Sequence, residues 1–170
     1  MGYTLLLVAP MTPDSLNVWT QITEAFPPDL PSQPVTTCDC DECRDARANL
    51  GRLRWNEVLP PAIDKHFGSL PLLTDDAFRA LLPAYLFQPL RNLSGENKFL
   101  EWTLYALCAA HDGNDETTAR DTDTRLRTRV AAFTEAQRAA VRTFLILASA
   151  APGLKNHRDA IAHALSVLWT

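Results

Sequence analysis

The stretch 74-TDDAFRALLPAYLFQPL-90 decides the fold class, because its apolar residues repeat at helical spacing. Residues three and four positions apart share one face of an α-helix, so this pattern predicts a helix with a buried stripe. Thr74 is the predicted N-cap, and the two aspartates after it suit the positive end of a helix. The prolines at positions 83 and 89 are expected to kink or shorten it. The stripe consists of Phe78, Leu81, Leu82, Tyr85, Leu86 and Leu90.

Further helix signals lie on both sides of this stretch. Thr12-Pro13 has the residues of an N-cap and a first helical position, and 134-TEAQ-137 is a capping box. The segment 96–110 is apolar nearly all round in its second half and is predicted to be the most buried helix. We therefore predict an all-α fold, a single compact domain of about six helices with a zinc-stapled loop. The side chains expected in its core are Phe78, Leu82, Tyr85, Leu104, Phe144 and Leu165.

Two segments are predicted to lie outside the helical core. Residues 1–11 contain a short apolar run and are interpreted as an N-terminal arm. Residues 111–125, HDGNDETTARDTDTR, are polar and charged and are predicted to form a mobile loop. The arginines around this loop alternate with aspartates, which indicates a solvated segment and not a nucleic-acid patch. These arginines are Arg120, Arg125, Arg127 and Arg129.

Length and charge limit the classes of function. The 170 residues suggest one domain spanning 1–170. A formal net charge of −4 argues against broad electrostatic attraction to nucleic acid or to an anionic membrane. No Lys or Arg precedes the N-terminal apolar run, and it is too short to span a bilayer, so a cytoplasmic location is expected.

The stretch 38-CDCDEC-43 places three cysteines within six residues. In a reducing compartment such clusters are more often metal ligands than disulfides, and zinc takes four ligands. We predict a structural zinc ion on Cys38, Cys40 and Cys43, with His66 as the fourth ligand. The alternative fourth ligands are Cys108 or a neighbouring carboxylate, from Asp39, Asp41 or Glu42. The cysteines could instead be free thiols, or Cys38 and Cys43 could pair on oxidation.

Five features occur in an order that resembles a known family. They are 22-ITEAF-26, the CDCDEC cluster at 38–43, Trp55, 66-HFGSLPLLTDDAFRALLPAYL-86 and 134-TEAQRAAVRTFLILA-148. Together they resemble an uncharacterised family of small bacterial proteins known only as a domain of unknown function. The resemblance covers about residues 15 to 150. It implies a bacterial source and co-occurrence of the cysteine cluster with His66, and it implies no activity.

The sequence points more to binding than to catalysis. It contains no nucleophile elbow, Walker loop, dinucleotide fingerprint or HExxH motif. The leading hypothesis is a non-enzymatic protein-binding module, specifically a bacterial immunity protein that neutralises a cognate toxin. Acidic side chains beside the cysteines would attract a basic partner such as a nuclease toxin. These partner-binding candidates are Asp39, Asp41, Glu42 and Asp45. The alternatives are a metal-dependent enzyme that uses the cysteine site, or a zinc-bearing regulatory module.

Overall fold

The computed structural model describes residues 11–93, 97–108 and 116–170, and the side chains of 116–122 are not described. Within these ranges the fold is all-α and compact, as predicted, and the only β-type pairing is an isolated bridge between Thr36 and Leu73. Short 3-10 helices occur at Trp55–Glu57, Phe67–Leu72 and Lys155–His157. The described α-helices are α1 (Pro13–Ala25), α2 (Asp41–Leu50), α3 (Pro60–Lys65), α4 (Asp75–Arg91), α5 (Lys98–Cys108), α6 (Glu116–Ala131), α7 (Glu135–Ser149) and α8 (Arg158–Val167).

Helix α4 lies at the centre of the fold. It packs against α1, α3, α5 and the 3-10 helices at Trp55–Glu57 and Phe67–Leu72, so ten of its side chains are buried. Thr74 caps its N-terminus as predicted. The expectation that prolines shorten it was wrong, because α4 continues through Pro83 and Pro89 to Arg91. An interior proline costs about 3 kcal/mol, and the burial of so many apolar side chains outweighs that cost.

Helix α5 is less buried than predicted. Trp102 and Tyr105 on its outer face are 41% and 40% exposed, so α4 and not α5 is the most enclosed helix. The reason is the packing. Helix α5 contacts α4, α8 and the Phe67–Leu72 segment, and these neighbours leave its outer face to solvent.

The helix starts predicted from capping residues are confirmed at both ends of the chain. Thr12 accepts a hydrogen bond from the backbone N–H of Ser15, and Pro13 is the first residue of α1. At α7, Thr134 and Gln137 form both reciprocal hydrogen bonds of a capping box. The predicted core is confirmed for five of its six residues. Leu165 is only partly buried, because α8 turns Ile161 and Ala164 to the core instead.

The predicted loop at 111–125 was wrong for most of its length. Residues 116–125 are the first part of α6, and 111–115 lie outside the described residues, as do residues 1–10 of the predicted arm. The polar sequence suggested a loop, but the C-terminal half of α6 buries Leu126 and Val130 against the core. Tertiary packing of one face therefore stabilises a helix that is otherwise polar.

Arg129 on α6 is buried and not solvated as predicted. Its Nε donates a hydrogen bond of 2.7 Å to the carboxylate of Asp75 at the start of α4. Its Nη2 donates to the carbonyl oxygens of Pro71 and Leu73, and the guanidinium lies 4.6 Å from the ring centre of Phe78. Arg129 thus fixes the backbone turn that leads into α4.

Among the described helices, none combines the length and the apolar composition that crossing a lipid bilayer requires.

Candidate metal centre

The chain just before the cysteines is held against the start of α4. The backbone N–H of Thr37 donates to the carbonyl of Leu72 at 3.0 Å, and that of Thr74 donates to the carbonyl of Val35 at 2.9 Å. The hydroxyl of Thr37 also reaches the Leu72 carbonyl, at 3.1 Å. Cys38 follows directly after this pairing, so its position is set by the core even though its side chain is exposed.

Helix α2 brings the other two cysteines to Cys38. Cys40 is the N-cap of α2, and Cys43 lies in its first turn. Cys43, Ala46 and Leu50 form the buried face of the helix, as their spacing of three and four residues requires. The helix ends at Leu50, and Gly51 is its C-cap. One helical turn therefore places the Cys43 sulfur beneath the loop that carries Cys38 and Cys40.

The three sulfur atoms form one group. The Sγ of Cys38 is 2.8 Å from that of Cys43 and 3.0 Å from that of Cys40, and all three lie within 4.8 Å of one another. Sulfurs around a tetrahedral zinc ion are about 3.8 Å apart, given Zn–S bonds of about 2.3 Å. A movement of about 1 Å would therefore give the thiolates metal-binding distances. This group could hold a metal ion, which is the predicted role of the cluster.

The surroundings of the cluster affect its three thiols differently. Hydrogen bonding with Cys43, and next with Cys40, lowers the pKa of Cys38, and the Arg47 guanidinium adds to this. Burial, followed by the hydrogen bonds with Cys38 and Cys40, raises the pKa of Cys43 to about 12. The positive end of the α2 dipole favours negative charge at Cys43. Cys38 is thus more readily ionised than the buried Cys43, and a nearby cation would favour ionisation of Cys43.

The structure does not bring His66 into this group. Its ring is buried between α3 and the Phe67–Leu72 segment, with Nε2 4.0 Å from a carboxylate oxygen of Asp45 and no hydrogen bond. Burial lowers the pKa of His66, and the negative charge of Asp45 partly opposes this. The Tyr85 hydroxyl donates to the His66 carbonyl at 3.1 Å and fixes the backbone there. His66 lies against the Asp45 face of α2, so its role as fourth ligand remains a prediction.

Cys108, the second candidate for the fourth ligand, is also outside the group. It is buried at the end of α5, and burial raises its pKa to about 12. A thiol in such apolar surroundings behaves as a small hydrophobic side chain.

The acidic side chains beside the cysteines are largely paired within the chain. Asp39 pairs with Arg47, Asp41 with Arg44, and Asp45 with Lys65 at 2.6 Å. The Glu42 carboxylate accepts a hydrogen bond from the Ser69 hydroxyl, at 3.4 Å. The four predicted partner-binding acids lie in the cysteine loop or in the first turns of α2, and three basic side chains reduce the net negative charge there.

Sequence reasoning missed the residues that support the cluster. Arg44 could have been paired with Asp41 from its spacing of three residues on a helix. Arg47 and Asp39 are eight residues apart and on different elements, so no spacing rule links them. Thr37 and Leu72 are far apart in sequence and meet only because of the tertiary fold.

These observations define a class: an all-α domain with a three-cysteine group that could hold a metal at the start of a helix. The chain belongs to the family of unknown function DUF6714, whose model matches residues 38–170. The match begins at Cys38, so it includes the cluster and α2 to α8 but neither α1 nor the ITEAF segment at 22–26. No curated protein and no solved structure matches the chain significantly.

Proposed function

We propose that Cys38, Cys40 and Cys43 hold one structural zinc ion in a protein-binding module. The observation that carries the proposal is the grouping of three sulfurs within 4.8 Å. Thiolates suit zinc, which has no preferred geometry of its own and accepts the tetrahedron that this loop and helix can supply. The ion would join the loop after Thr37 to the first turn of α2 and neutralise the buried Cys43 thiolate.

His66 is our proposed fourth ligand. Its Nε2 is buried without a hydrogen bond, which costs free energy that a metal bond would recover. Coordination requires the start of the Phe67–Leu72 segment to move toward the cluster. Because α2 already packs on this segment, the ligand would extend an existing contact. The proposal also assumes a reducing compartment, the bacterial cytoplasm, where the thiols stay reduced.

Metal analysis of variants tests the ligand set. Protein purified without added metal should contain about one zinc per chain, and Cys38→Ser, Cys40→Ser or Cys43→Ser should lose it. His66→Ala should weaken binding, whereas Cys108→Ala should leave the zinc content unchanged. His157→Ala is a matched control for the histidine, because His157 lies in the 3-10 helix before α8. Zinc retained by His66→Ala and lost by Cys108→Ala would show that the fourth ligand was chosen wrongly.

The biological role that we propose is binding to another protein, a cognate bacterial toxin being the best candidate. The acids at positions 39, 41, 42 and 45 support it, because they lie in the cysteine loop or in the first turns of α2. Asp41 and Glu42 are the most suitable of the four, since both are exposed and Asp41 forms only a solvent-exposed ion pair. Such pairs contribute less than about 1 kcal/mol and exchange readily for a partner's basic groups.

Capture and rescue experiments test this role. The tagged protein should recover a specific partner from its native cells, and co-expression should relieve the toxicity of that partner. The double variant Asp41→Lys/Glu42→Lys should weaken binding at least tenfold without loss of helicity. Glu24→Lys/Asp29→Lys is the matched control, because it reverses two exposed charges elsewhere on the chain. Equal binding by both double variants would contradict the proposed surface.

A metal-dependent enzyme is the second candidate. The observation that favours it is the position of His66 outside the sulfur group, because a zinc ion with three protein ligands keeps a position for water or substrate. Turnover of a substrate by the zinc-loaded protein, abolished by a chelator and by Cys40→Ser, would establish this alternative in place of the binding module.

A further inference from the structure

The three thiols differ in their access to solvent. Cys38 and Cys40 are exposed, whereas Cys43 is 1% exposed and lies behind them on α2. The Cys38 sulfur lies 2.8 Å from the Cys43 sulfur and 3.0 Å from the Cys40 sulfur. A small oxidant therefore reaches Cys38 from solvent, and a second thiol stands directly behind it.

We propose that the site is regulated by oxidation: peroxide joins Cys38 and Cys43 in a disulfide and so releases the zinc ion. This inference rests on the proposed zinc site. In the first step the Cys38 thiolate attacks one oxygen of hydrogen peroxide, the O–O bond breaks, and Cys38 sulfenic acid and hydroxide form. In the second step the Cys43 thiolate attacks the Cys38 sulfur, the S–S bond forms, and a second hydroxide leaves. Two thiolates lose two electrons in total, and one peroxide takes them up.

The pairing of Cys38 with Cys43 follows from position. Their sulfurs are 2.8 Å apart, closer than those of Cys38 and Cys40 at 3.0 Å. Four residues separate Cys38 from Cys43, so the backbone can adjust to the geometry that a disulfide requires. Cys38 and Cys40 are separated by one residue, which leaves little freedom to reach that geometry. Cys43 is also the ligand whose loss matters most, because it is the only one of the three on the buried face of α2.

Release of the metal would change the surface around the loop. The disulfide removes two of the four proposed ligands, and the remaining two, Cys40 and His66, are too few to retain a structural zinc ion. Asp39 and Asp41 lie between the cysteines, so the same loop carries both the redox centre and part of the proposed partner-binding surface. Oxidation would therefore couple metal release to a change in partner affinity.

The test uses the zinc-loaded full chain and hydrogen peroxide. Released zinc is followed with a chromogenic chelator, and thiol pairing is mapped after digestion with a protease that cleaves before aspartate. Such a protease cuts at Asp39, Asp41 and Asp45, so the three cysteines fall into separate peptides and every pairing has its own mass. Cys108→Ala is the control variant, since the buried Cys108 lies outside the group and should take no part.

Loss of about one zinc per chain with a Cys38–Cys43 disulfide, reversed by reductant and zinc, is the expected result. Cys43→Ser should accumulate Cys38 sulfenic acid, which dimedone traps, and should form no disulfide with position 43. Protein that never binds zinc would overturn the zinc site and this inference together. Zinc-loaded protein that keeps its metal under peroxide, or loses it with a different pairing, would overturn this inference alone.

Discussion

Helix α4 and the cysteine loop are held in place by different forces. Helix α4 buries ten side chains and contacts neighbours on several sides, so the hydrophobic effect fixes it. The loop at 38–40 is exposed and depends on hydrogen bonds with Leu72 and on the packing of one face of α2. The core therefore has many apolar contacts to stabilise it, whereas the cysteine loop has few, and a metal ion on the three thiols would add to them.

The largest loss of stability is expected when a buried apolar side chain of the core is truncated. Phe144→Ala should lower the free energy of unfolding by about 3–5 kcal/mol, because Phe144 on α7 is fully buried. Ile146→Ala is the matched control on the same helix, since Ile146 is 50% exposed and its loss should change stability by about 0.5 kcal/mol or less. Urea unfolding followed by far-UV circular dichroism measures both. A small effect at Phe144 would mean that the helical phase of α7 differs from this account.

Arg129 connects the two regions, so its removal should affect both. Arg129→Met removes a hydrogen-bond donor from the Asp75 carboxylate and from the Pro71 carbonyl. It leaves the Leu73 carbonyl with the longer hydrogen bond from Arg125, at 3.5 Å. We expect a loss of about 2–3 kcal/mol, as for hydrogen bonds to charged groups.

Arg127→Met is the control for this variant. It removes an exposed ion pair to Asp123 on the same helix and should cost about 0.5 kcal/mol or less. Urea unfolding midpoints measure the stability of each variant, and a zinc titration measures its metal affinity. Arg129→Met should also weaken zinc binding, because its contacts fix the turn against which Thr37 packs. Equal stability of the two variants would contradict the role assigned to the buried arginine.

A smaller effect comes from Asp76, which ties the loop before the cysteines to α4. The backbone N–H of Ser32 donates a hydrogen bond of 2.7 Å to the Asp76 carboxylate, which holds the pKa of Asp76 below its usual value. The positive charge of Arg79 lowers this pKa further, and partial burial opposes both effects. The folded pKa is lower than the unfolded one. The stabilisation is therefore fully present above the usual carboxyl pKa and is lost as pH falls through the folded value, below about pH 4.

Asp76→Asn tests this tie. At pH 7 it should cost less than about 1 kcal/mol, and the difference from the natural protein should shrink as pH falls below about 4. Asp29→Asn is the control, because the side chain of Asp29 accepts no hydrogen bond from the described residues. A stability difference at Asp76 that is independent of pH would show that the carboxylate charge is not the cause.

Much of the fold could be predicted because its decisive signals are local. Two helices are predicted from signals within a few residues, namely the N-caps Thr74 and Thr134 and the apolar stripe of α4. The structure contains both helices. The start of α6 could not be predicted, since its polar residues become helical only because Leu126 and Val130 pack on distant parts of the chain. The prediction of how deeply α5 is buried failed for the same reason, because burial depends on which distant helices pack against it.

The candidate site also combines features that the sequence predicts with features that it does not predict. The three cysteines are close in sequence and one helical turn suffices to gather them, so spacing alone predicts the group. His66 lies 23 residues beyond Cys43, and its position depends on how α3 packs, which spacing does not reveal. The ion pair of Asp39 with Arg47 likewise follows from where the loop rests on α2 and not from any local rule.

Hydrogen–deuterium exchange of the zinc-loaded and chelated proteins tests the central claim most directly. Zinc removal should lower amide protection in residues 36–50, while α4 and α7 keep theirs, because the proposed metal would stabilise the first region and apolar burial stabilises the helices. Identical exchange in both proteins, or a uniform loss of protection across the chain, would contradict the account.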